Sequence, residues 1–308
     1  MLGRALELAE RGRGTTHPNP VVGAVVARDG RVLGEGWHER KGGPHAEVVA
    51  LEAAGEAAPG ATLYVTLEPC DHHGTTPPCV DAILAAGISK VVVGAKDPIR
   101  DGIARLREAG VEVELVDLWE ARVQNEAWLT WARLRRPFVT YKAAMTLDAR
   151  LAVPGRRWVS GEASRRLVHE LRAASDAVAV GMGTVRSDDP RLDARGVEVL
   201  RQPRRLAFGR GPLPNGSELE LLRGALEEEL GRLAEESVQS LLLEGGPTLA
   251  TSFLAADLVD KVLLFVAPAI AAAGQTLVTS LPYPVTLTRL SARQVGEDVL
   301  LTAYVHES

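Results

Sequence analysis

A chain of 308 residues, at about 150 per domain, is expected to fold as two domains. Its net charge of −5, with 24% charged residues, argues against a general nucleic-acid binder, which shows a basic face. No apolar run approaches the ~20 residues of a membrane span. Charges also run through Met1 to Arg13, unlike a secretory signal, so a cytoplasmic protein with reduced thiols is expected.

Met1 to Arg13 reads as a short amphipathic helix with Leu2, Ala5, Leu6 and Ala9 on one side. Pro20 to Ala27 and Arg31 to Trp37 form a hairpin around Asp29-Gly30, a pair suited to a tight turn. His45 to Gly55 is a helix with Val48, Val49, Leu51 and Ala54 as its apolar positions. Strands at Thr62 to Leu67, Lys90 to Ala95 and Val111 to Val116 then alternate with helices at Cys79 to Ala86 and Ile103 to Ala109. This pattern predicts a central sheet covered by helices. Leu118 to Leu134 is read as one connecting helix, stopped by Arg135-Arg136-Pro137. The first domain is thus placed at residues 1–136, with 118–136 as connector, and the second at 137–308.

In the second domain Phe138 to Ala144 is a strand, Glu162 to Ala173 a helix, and Ala177 to Val180 a strand running into Gly181-Met182-Gly183-Thr184. Arg204 to Phe208 is a strand and Glu218 to Glu236 a single acidic helix. Ser240 to Leu243 is a strand that passes through Glu244-Gly245-Gly246-Pro247-Thr248 into the helix Leu249 to Ala256. A strand, a glycine turn and a helix start make a ready anion site. Such turns are as commonly tight connections, so the signal alone is weak.

The chemistry-bearing pattern is Pro44-His45-Ala46-Glu47, followed by Glu68-Pro69-Cys70 and Pro78-Cys79. A catalytic zinc takes three protein ligands and keeps one position for water, whose pKa it lowers. His45, Cys70 and Cys79 supply ligand types for it, and Glu47 is left free to carry protons. The chain's only two cysteines both lie within 34 residues of His45, and the alternative, a disulfide, is disfavoured in a reducing compartment. Pro77-Pro78 ahead of Cys79 reads as a helix start, which favours a thiolate. Nucleobase deaminases combine His-x-Glu with Pro-Cys-x-x-Cys. Here eight residues separate Cys70 from Cys79, which breaks that simple pattern.

Read over its whole length, from Leu6 to Val305, the chain resembles the bifunctional deaminase/reductase family of riboflavin biosynthesis. The motifs that carry the likeness in the first half are Thr16-His17-Pro18-Asn19-Pro20-x-Val22-Gly23, Gly34-Glu35-Gly36-Trp37-His38, Pro44-His45-Ala46-Glu47-Val48 and Thr66-Leu67-Glu68-Pro69-Cys70-x-His72-His73-Gly74-x-Thr76-Pro77-Pro78-Cys79. In the second half they are Lys142-x-Ala144-x-x-Leu147-Asp148, Trp158-x-Ser160, Val180-Gly181-x-Gly183-Thr184-Val185, Asp188-Asp189-Pro190-Arg191-Leu192 and Glu244-Gly245-Gly246-Pro247-Thr248-Leu249. The long spacing between the cysteines is a feature of this family.

The resemblance implies an N-terminal cytidine-deaminase-like three-layer α/β/α domain and a C-terminal α/β domain like dihydrofolate reductase. It implies zinc and NADPH as cofactors. A ribosylated diaminopyrimidinone 5'-phosphate would be hydrolytically deaminated, and its ribosyl group then reduced to ribityl. By residue, it implies His45, Cys70 and Cys79 as zinc ligands and Glu47 as the proton carrier. Lys142 would face the substrate in the reductase. Ala144, Trp158, Thr184, Asp188, Gly246, Pro247, Thr248 and Leu249 match cofactor positions, and Asn19, His72, Arg172, Arg191, Leu192, Arg195 and Glu244 match substrate positions. Asn19 would otherwise be a loop-bracing amide, His72 an exposed imidazole, Lys142 a solvated strand end and Trp158 a core residue. The implied partners are a small phosphorylated pyrimidine and further copies of this chain in a dimer or tetramer, with neither nucleic acid nor membrane.

Three stretches depart from the family pattern. Ile99-Arg100-Asp101-Gly102 shortens the loop after Asp97-Pro98. Asp148-Ala149-Arg150 replaces a glycine turn, and alanine there is expected to hold a negative φ. The region from Arg195 to Ser240 is shorter than the family's, which leaves open a deaminase whose second domain only binds or oligomerises. A nucleobase or tRNA deaminase with an unrelated tail is the other alternative, and it lacks a basic strip in its support.

Overall fold

The computed structural model describes residues 1–74 and 77–307, so Thr75 and Thr76, the latter within the longest first-half motif, lie outside it with Ser308. The chain divides into two compact units, Met1–Leu134 and Arg135–Glu307. No helix among the described residues is long and apolar enough to cross a membrane.

Unit 1 begins with α1 (Leu2–Glu10), the hairpin β1 (Gly23–Arg28) and β2 (Arg31–Trp37), and α2 (Ala46–Ala54). It continues through β3 (Thr62–Leu67), α3 (Cys79–Ala85), β4 (Lys90–Ala95), α4 (Gly102–Glu108) and β5 (Glu112–Leu115) to α5 (Trp119–Gln124) and α6 (Glu126–Leu134). The sheet order is β2-β1-β3-β4-β5, with β3, β4 and β5 parallel and β1 antiparallel to both neighbours. Side chains alternate across a strand. Ala24, Val26, Leu63, Val65, Val91 and Val93 therefore pack under α2, α3 and α4, while Val25 and Ala27 meet α1 on the other face. The result is a three-layer α/β/α unit.

Helix α2 packs backbone to backbone on β2. A Cβ at Gly36 would stand 2.5 Å from the Ala46 carbonyl oxygen and 2.6 Å from the Ala50 nitrogen, so only glycine admits α2 at this depth. Asn125 explains why the predicted connecting helix is two. Its buried amide accepts from the Val21 N–H at 3.0 Å and donates to the Val21 carbonyl at 2.8 Å, and the helix breaks at that residue.

Unit 2 contains β6 (Phe138–Thr146), α7 (Glu162–Ala174), β7 (Ala177–Gly181), α8 (Met182–Asp188), β8 (Arg204–Phe208), β9 (Glu220–Leu222) and α9 (Leu226–Glu235). It ends with β10 (Ser240–Leu243), α10 (Pro247–Ala255), β11 (Lys261–Ala267), β12 (Thr288–Val295) and β13 (Asp298–Tyr304). Its sheet order is β12-β13-β11-β6-β10-β7-β8-β9, and the six strands from β11 to β9 are parallel. Val139, Tyr141, Leu241 and Leu243 face α9 and α10. Period two then turns Lys142, Ala144 and Glu244 towards the opposite face, where α7 lies.

Unit 2 departs from expectation at two places. The stretch read as a helix from Glu218 opens with β9, which pairs in parallel with β8 through Leu222↔Phe208, and α9 starts only at Leu226. Ala149 sits at φ +58 rather than at a negative φ. Tertiary bonds hold it there. The Thr146 N–H donates to the Arg150 carbonyl at 2.9 Å, and the Asp148 carboxylate accepts from the Thr146 hydroxyl at 2.6 Å and from the Ala271 N–H at 3.0 Å. A left-handed alanine costs about 1 kcal/mol. Ala149→Gly should therefore raise the stability of the full chain by about 1 kcal/mol in urea denaturation; a loss of stability would contradict the strain.

Candidate metal and substrate sites

His45 is the N-cap of α2 and Glu47 falls in its first turn, so the seating of α2 on β2 places both. Cys70 follows the end of β3, and Cys79 opens α3. These three segments bring His45 Nδ1 to 3.0 Å from Cys79 Sγ and 3.5 Å from Cys70 Sγ. All three ligand atoms lie within 4.8 Å of one another. The edges of a tetrahedral zinc site are about 3.4–3.8 Å for bonds of about 2.0–2.3 Å. One imidazole nitrogen and two sulfurs at this spacing fit zinc.

The electrostatics suit a cation. The Cys79 thiol and the His45 ring hydrogen-bond to the Cys70 sulfur and outweigh its burial, so Cys70 is held down to about 4. The Cys79 N–H also donates to Cys70 Sγ at 3.3 Å. With the first negative charge on Cys70, the Cys79 thiol's own hydrogen bond to that sulfur and its burial push the Cys79 thiol up. Both sulfurs ionise together only against a positive charge. Glu47 is 3% exposed, and burial pushes its carboxyl up to about 6.

Around this centre Asn19 Nδ2 lies 3.2 Å from His38 Nε2, and His38 Nδ1 lies 3.0 Å from the Pro44 carbonyl oxygen. His72 is partly exposed, 3.8 Å from Asp71, and both line a cavity of about 820 Å³ with Lys96, Asp97, Arg100 and Arg133 among its walls. Glu68 is buried and accepts from the Asp97 and Ile103 N–H groups at 3.1 and 2.8 Å, tying the short loop after Asp97 to the Cys70 strand. Neither His38 nor Glu68 was assigned a role from sequence. Both stand inside the quoted motifs, but only burial and bonding distinguish them from spacer residues.

In unit 2 the structure brings together three of the expected residues. The Glu244 side chain, 8% exposed, accepts from Lys142 Nζ at 3.2 Å and from Arg172 Nε and Nη2 at 2.6 and 3.0 Å. Burial alone would push this carboxyl up, but the Lys142 charge and the Arg172 fork outweigh it and hold it down to about 2. Arg172 Nη1 also donates to the Asp193 carbonyl at 3.1 Å, linking the pair to the segment of Arg191, Leu192 and Arg195. Leu192 is buried, whereas Arg191 is exposed and Arg195 pairs with the Asp193 carboxylate. Thr184 and Asp188 lie on α8, and a Cβ at Gly246 would stand 3.5 Å from Thr184 Oγ1, which joins the starts of α8 and α10. Pro247, Thr248 and Leu249 form the first turn of α10, and Ala144 packs near Val168 and Phe265. Trp158 is not a core residue. It is 52% exposed, with the Arg157 and Arg165 guanidiniums 5.0 and 5.6 Å from the ring centroid.

Residues 1–95 match the cytidine and deoxycytidylate deaminase zinc-binding region, and residues 137–301 match the RibD C-terminal domain. The riboflavin biosynthesis protein RibD of Aquifex aeolicus is 39% identical, over 96% of this chain and 95% of its own. The chain belongs to the RibD family. The Escherichia coli RibD is 37% identical over 97% of both chains. Among solved structures, a RibD of Acinetobacter baumannii superposes with a TM-score of 0.86 at 34% identity, covering 98% of this chain and 97% of its own. A Thermotoga maritima structure named as a diaminohydroxyphosphoribosylaminopyrimidine deaminase/5-amino-6-(5-phosphoribosylamino)uracil reductase superposes at 0.83 with 35% identity, covering 98% and 97%. The RibD-family chain thus has the zinc-binding deaminase fold in unit 1 and the family's reductase fold in unit 2.

Two outcomes follow for these centres. Cys70→Ala and Cys79→Ala should each lose bound zinc, read as metal per chain after dialysis against a weak chelator, and full retention in either would exclude that sulfur as a ligand. For Glu244, a folded pKa of about 2 against an ordinary 4.5 means that its stabilisation is full above about pH 5 and lost as pH falls towards 2. Glu244→Gln should be less stable than wild type by about 3 kcal/mol at pH 7, because Lys142 and Arg172 lose their counter-charge. In urea unfolding that gap should shrink at pH 3; a constant gap would contradict the ionised carboxylate.

Proposed function

We propose that unit 1 hydrolytically deaminates a ribosylated diaminopyrimidinone 5'-phosphate and that unit 2 then reduces the ribosyl group to ribityl with NADPH. The observation that carries the reading is the His45, Cys70 and Cys79 donor set with the buried Glu47 carboxyl on the same helix turn as His45. A zinc ion held by these three residues supplies a Lewis acid that lowers the pKa of a water towards neutrality.

Glu47 does the proton work. Its carboxylate takes one proton from the attacking water and passes it to the ring nitrogen, then takes the second from the hydroxyl now on the ring carbon and passes it to the departing amine. Burial raises this carboxyl above the ordinary carboxylate range, which helps it to return the proton it has taken. The bond from the ring carbon to its exocyclic amine breaks, a C=O bond forms, and ammonia leaves. Asn19 and His72 orient the ring, and Lys96 and Arg100 give the adjoining cavity cations for the phosphate end.

In unit 2 NADPH supplies a hydride to the sugar carbon when bound. Lys142 stands at the substrate and delivers a proton to the ribosyl ring oxygen as the ring opens. Glu244 holds Lys142 and Arg172 in place. Arg191 and Arg195 bind the substrate phosphate with Arg172, and Leu192 packs beneath it. Ala144, Trp158, Thr184, Asp188, Gly246 and Pro247 line the cofactor position, and Thr248 and Leu249 in the first turn of α10 offer N–H donors to its phosphates. The boundary between the two activities lies near residue 136, and the shorter stretch from Arg195 to Ser240 still completes a cofactor site. The enzyme works in the cytoplasm, with reduced thiols, as a dimer or tetramer.

Product analysis tests the whole reading. Without NADPH wild type should give only the deaminated product, and with NADPH the ribityl product. Glu47→Gln should keep its zinc but deaminate at least about 10²-fold more slowly. Undiminished deamination in that variant would sink the role of Glu47, and a wild type that stops at the deaminated product with NADPH present would leave unit 2 as a binding domain.

A further inference from the structure

His38 is 3% exposed, at the end of β2, and its backbone N–H donates to the Val22 carbonyl at 2.9 Å. Its ring meets the His45 ring edge-on, with centroids 5.3 Å apart. Each ring nitrogen faces a group with only one hydrogen-bonding role. The Pro44 carbonyl oxygen, 3.0 Å from Nδ1, can only accept, so Nδ1 carries the proton. Nε2 of the neutral ring is then an acceptor, and the Asn19 Nδ2 amide, 3.2 Å away, can only donate to it.

The tautomer therefore decides which end of the Asn19 amide points inward. We infer that His38 is a positioning residue for deamination. One nitrogen holds the carbonyl that precedes the His45 ligand, and the other locks the Asn19 amide so that its carbonyl oxygen is presented to the substrate. The Asn19 amide makes no other hydrogen bond among the described residues and is only partly buried, so that oxygen remains available. It accepts from an N–H or amine on the ligand, and it rejects an acceptor at the same place. Were the ring tautomer reversed, the amide would turn over and present its NH2, which inverts the preference. The inference rests on the reading that Asn19 contacts the substrate.

Two substitutions separate the roles of the two nitrogens. His38→Asn keeps a donor near the Nδ1 position for the Pro44 carbonyl but reaches nothing at Nε2. His38→Gln carries an acceptor to the Nε2 position and leaves Pro44 without its donor. Deamination kinetics would be measured without NADPH, together with zinc per chain and thermal melting.

For His38→Asn, KM should rise roughly five- to tenfold, the worth of one hydrogen bond, with kcat within about twofold and full zinc. His38→Gln should keep a KM near wild type and lose zinc more readily to a chelator. If His38 acts through Asn19, the double variant Asn19→Ala/His38→Asn should have the KM of Asn19→Ala alone. A wild-type KM in His38→Asn beside a raised KM in Asn19→Ala would overturn the positioning role while leaving the Asn19 contact intact. Additive effects in the double variant would overturn it as well. A wild-type KM in Asn19→Ala would remove the contact itself and this inference with it. Loss of zinc in His38→Asn with retention in His38→Gln would reverse the assignment of the two nitrogens.

Discussion

The near-contact between the backbones of α2 and β2 governs unit 1. Gly34 and Gly36 leave no side chain on the face of β2 that α2 crosses, and the helix backbone settles against them. That depth puts His45 and Glu47 at the edge of the sheet, beside the carboxyl end of β3 and the start of α3. A metal centre assembled from three separated segments is no stronger than their mutual placement. Here two buried groups carry that placement. His38 ties the chain before His45, and Glu68 ties the loop beyond β4 to the segment of Cys70.

Unit 2 is organised by a different constraint, a buried carboxylate between two cations. The parallel register of β6 and β10 pairs Leu243 with Tyr141, so the next positions, Glu244 and Lys142, emerge side by side on the α7 face. Arg172 completes the cluster from α7. An isolated buried charge would be costly, whereas this one is compensated in two directions and stays ionised well below neutral pH. The two centres thus use burial in opposite ways. At Glu47 it raises a carboxyl into the range of a proton carrier, and at Glu244 neighbouring cations overcome it and keep a fixed charge.

Much of this was legible along the chain wherever the governing interaction is local. Asp29-Gly30 encodes its own turn, and the apolar runs at Thr62 to Leu67 and Lys90 to Ala95 form the strands they predict. Legibility fails where a distant partner decides. The run from Leu118 to Leu134 has the composition of one helix, yet the Asn125 amide turns back to Val21. Glu220 to Leu222 has helix-forming neighbours, yet an open edge of β8 recruits it as a strand. Ala149 takes a glycine's conformation because Thr146, Asp148 and Ala271 bond around it.

The sequence by itself determined the kind of chemistry: one imidazole, two thiols and a spare carboxyl at a diagnostic spacing, attached to a second set of motifs that marks the family. Residue types and short spacings suffice there, because ligand preference belongs to the side chains themselves. Only the tertiary structure decided how those groups are held. That His38 orients Asn19, that Glu68 anchors the loop after Asp97, and that Lys142 and Arg172 share Glu244 all depend on segments tens of residues apart meeting in a packed interior. Burial, tautomer and counter-charge arise from that meeting, and no local pattern encodes them.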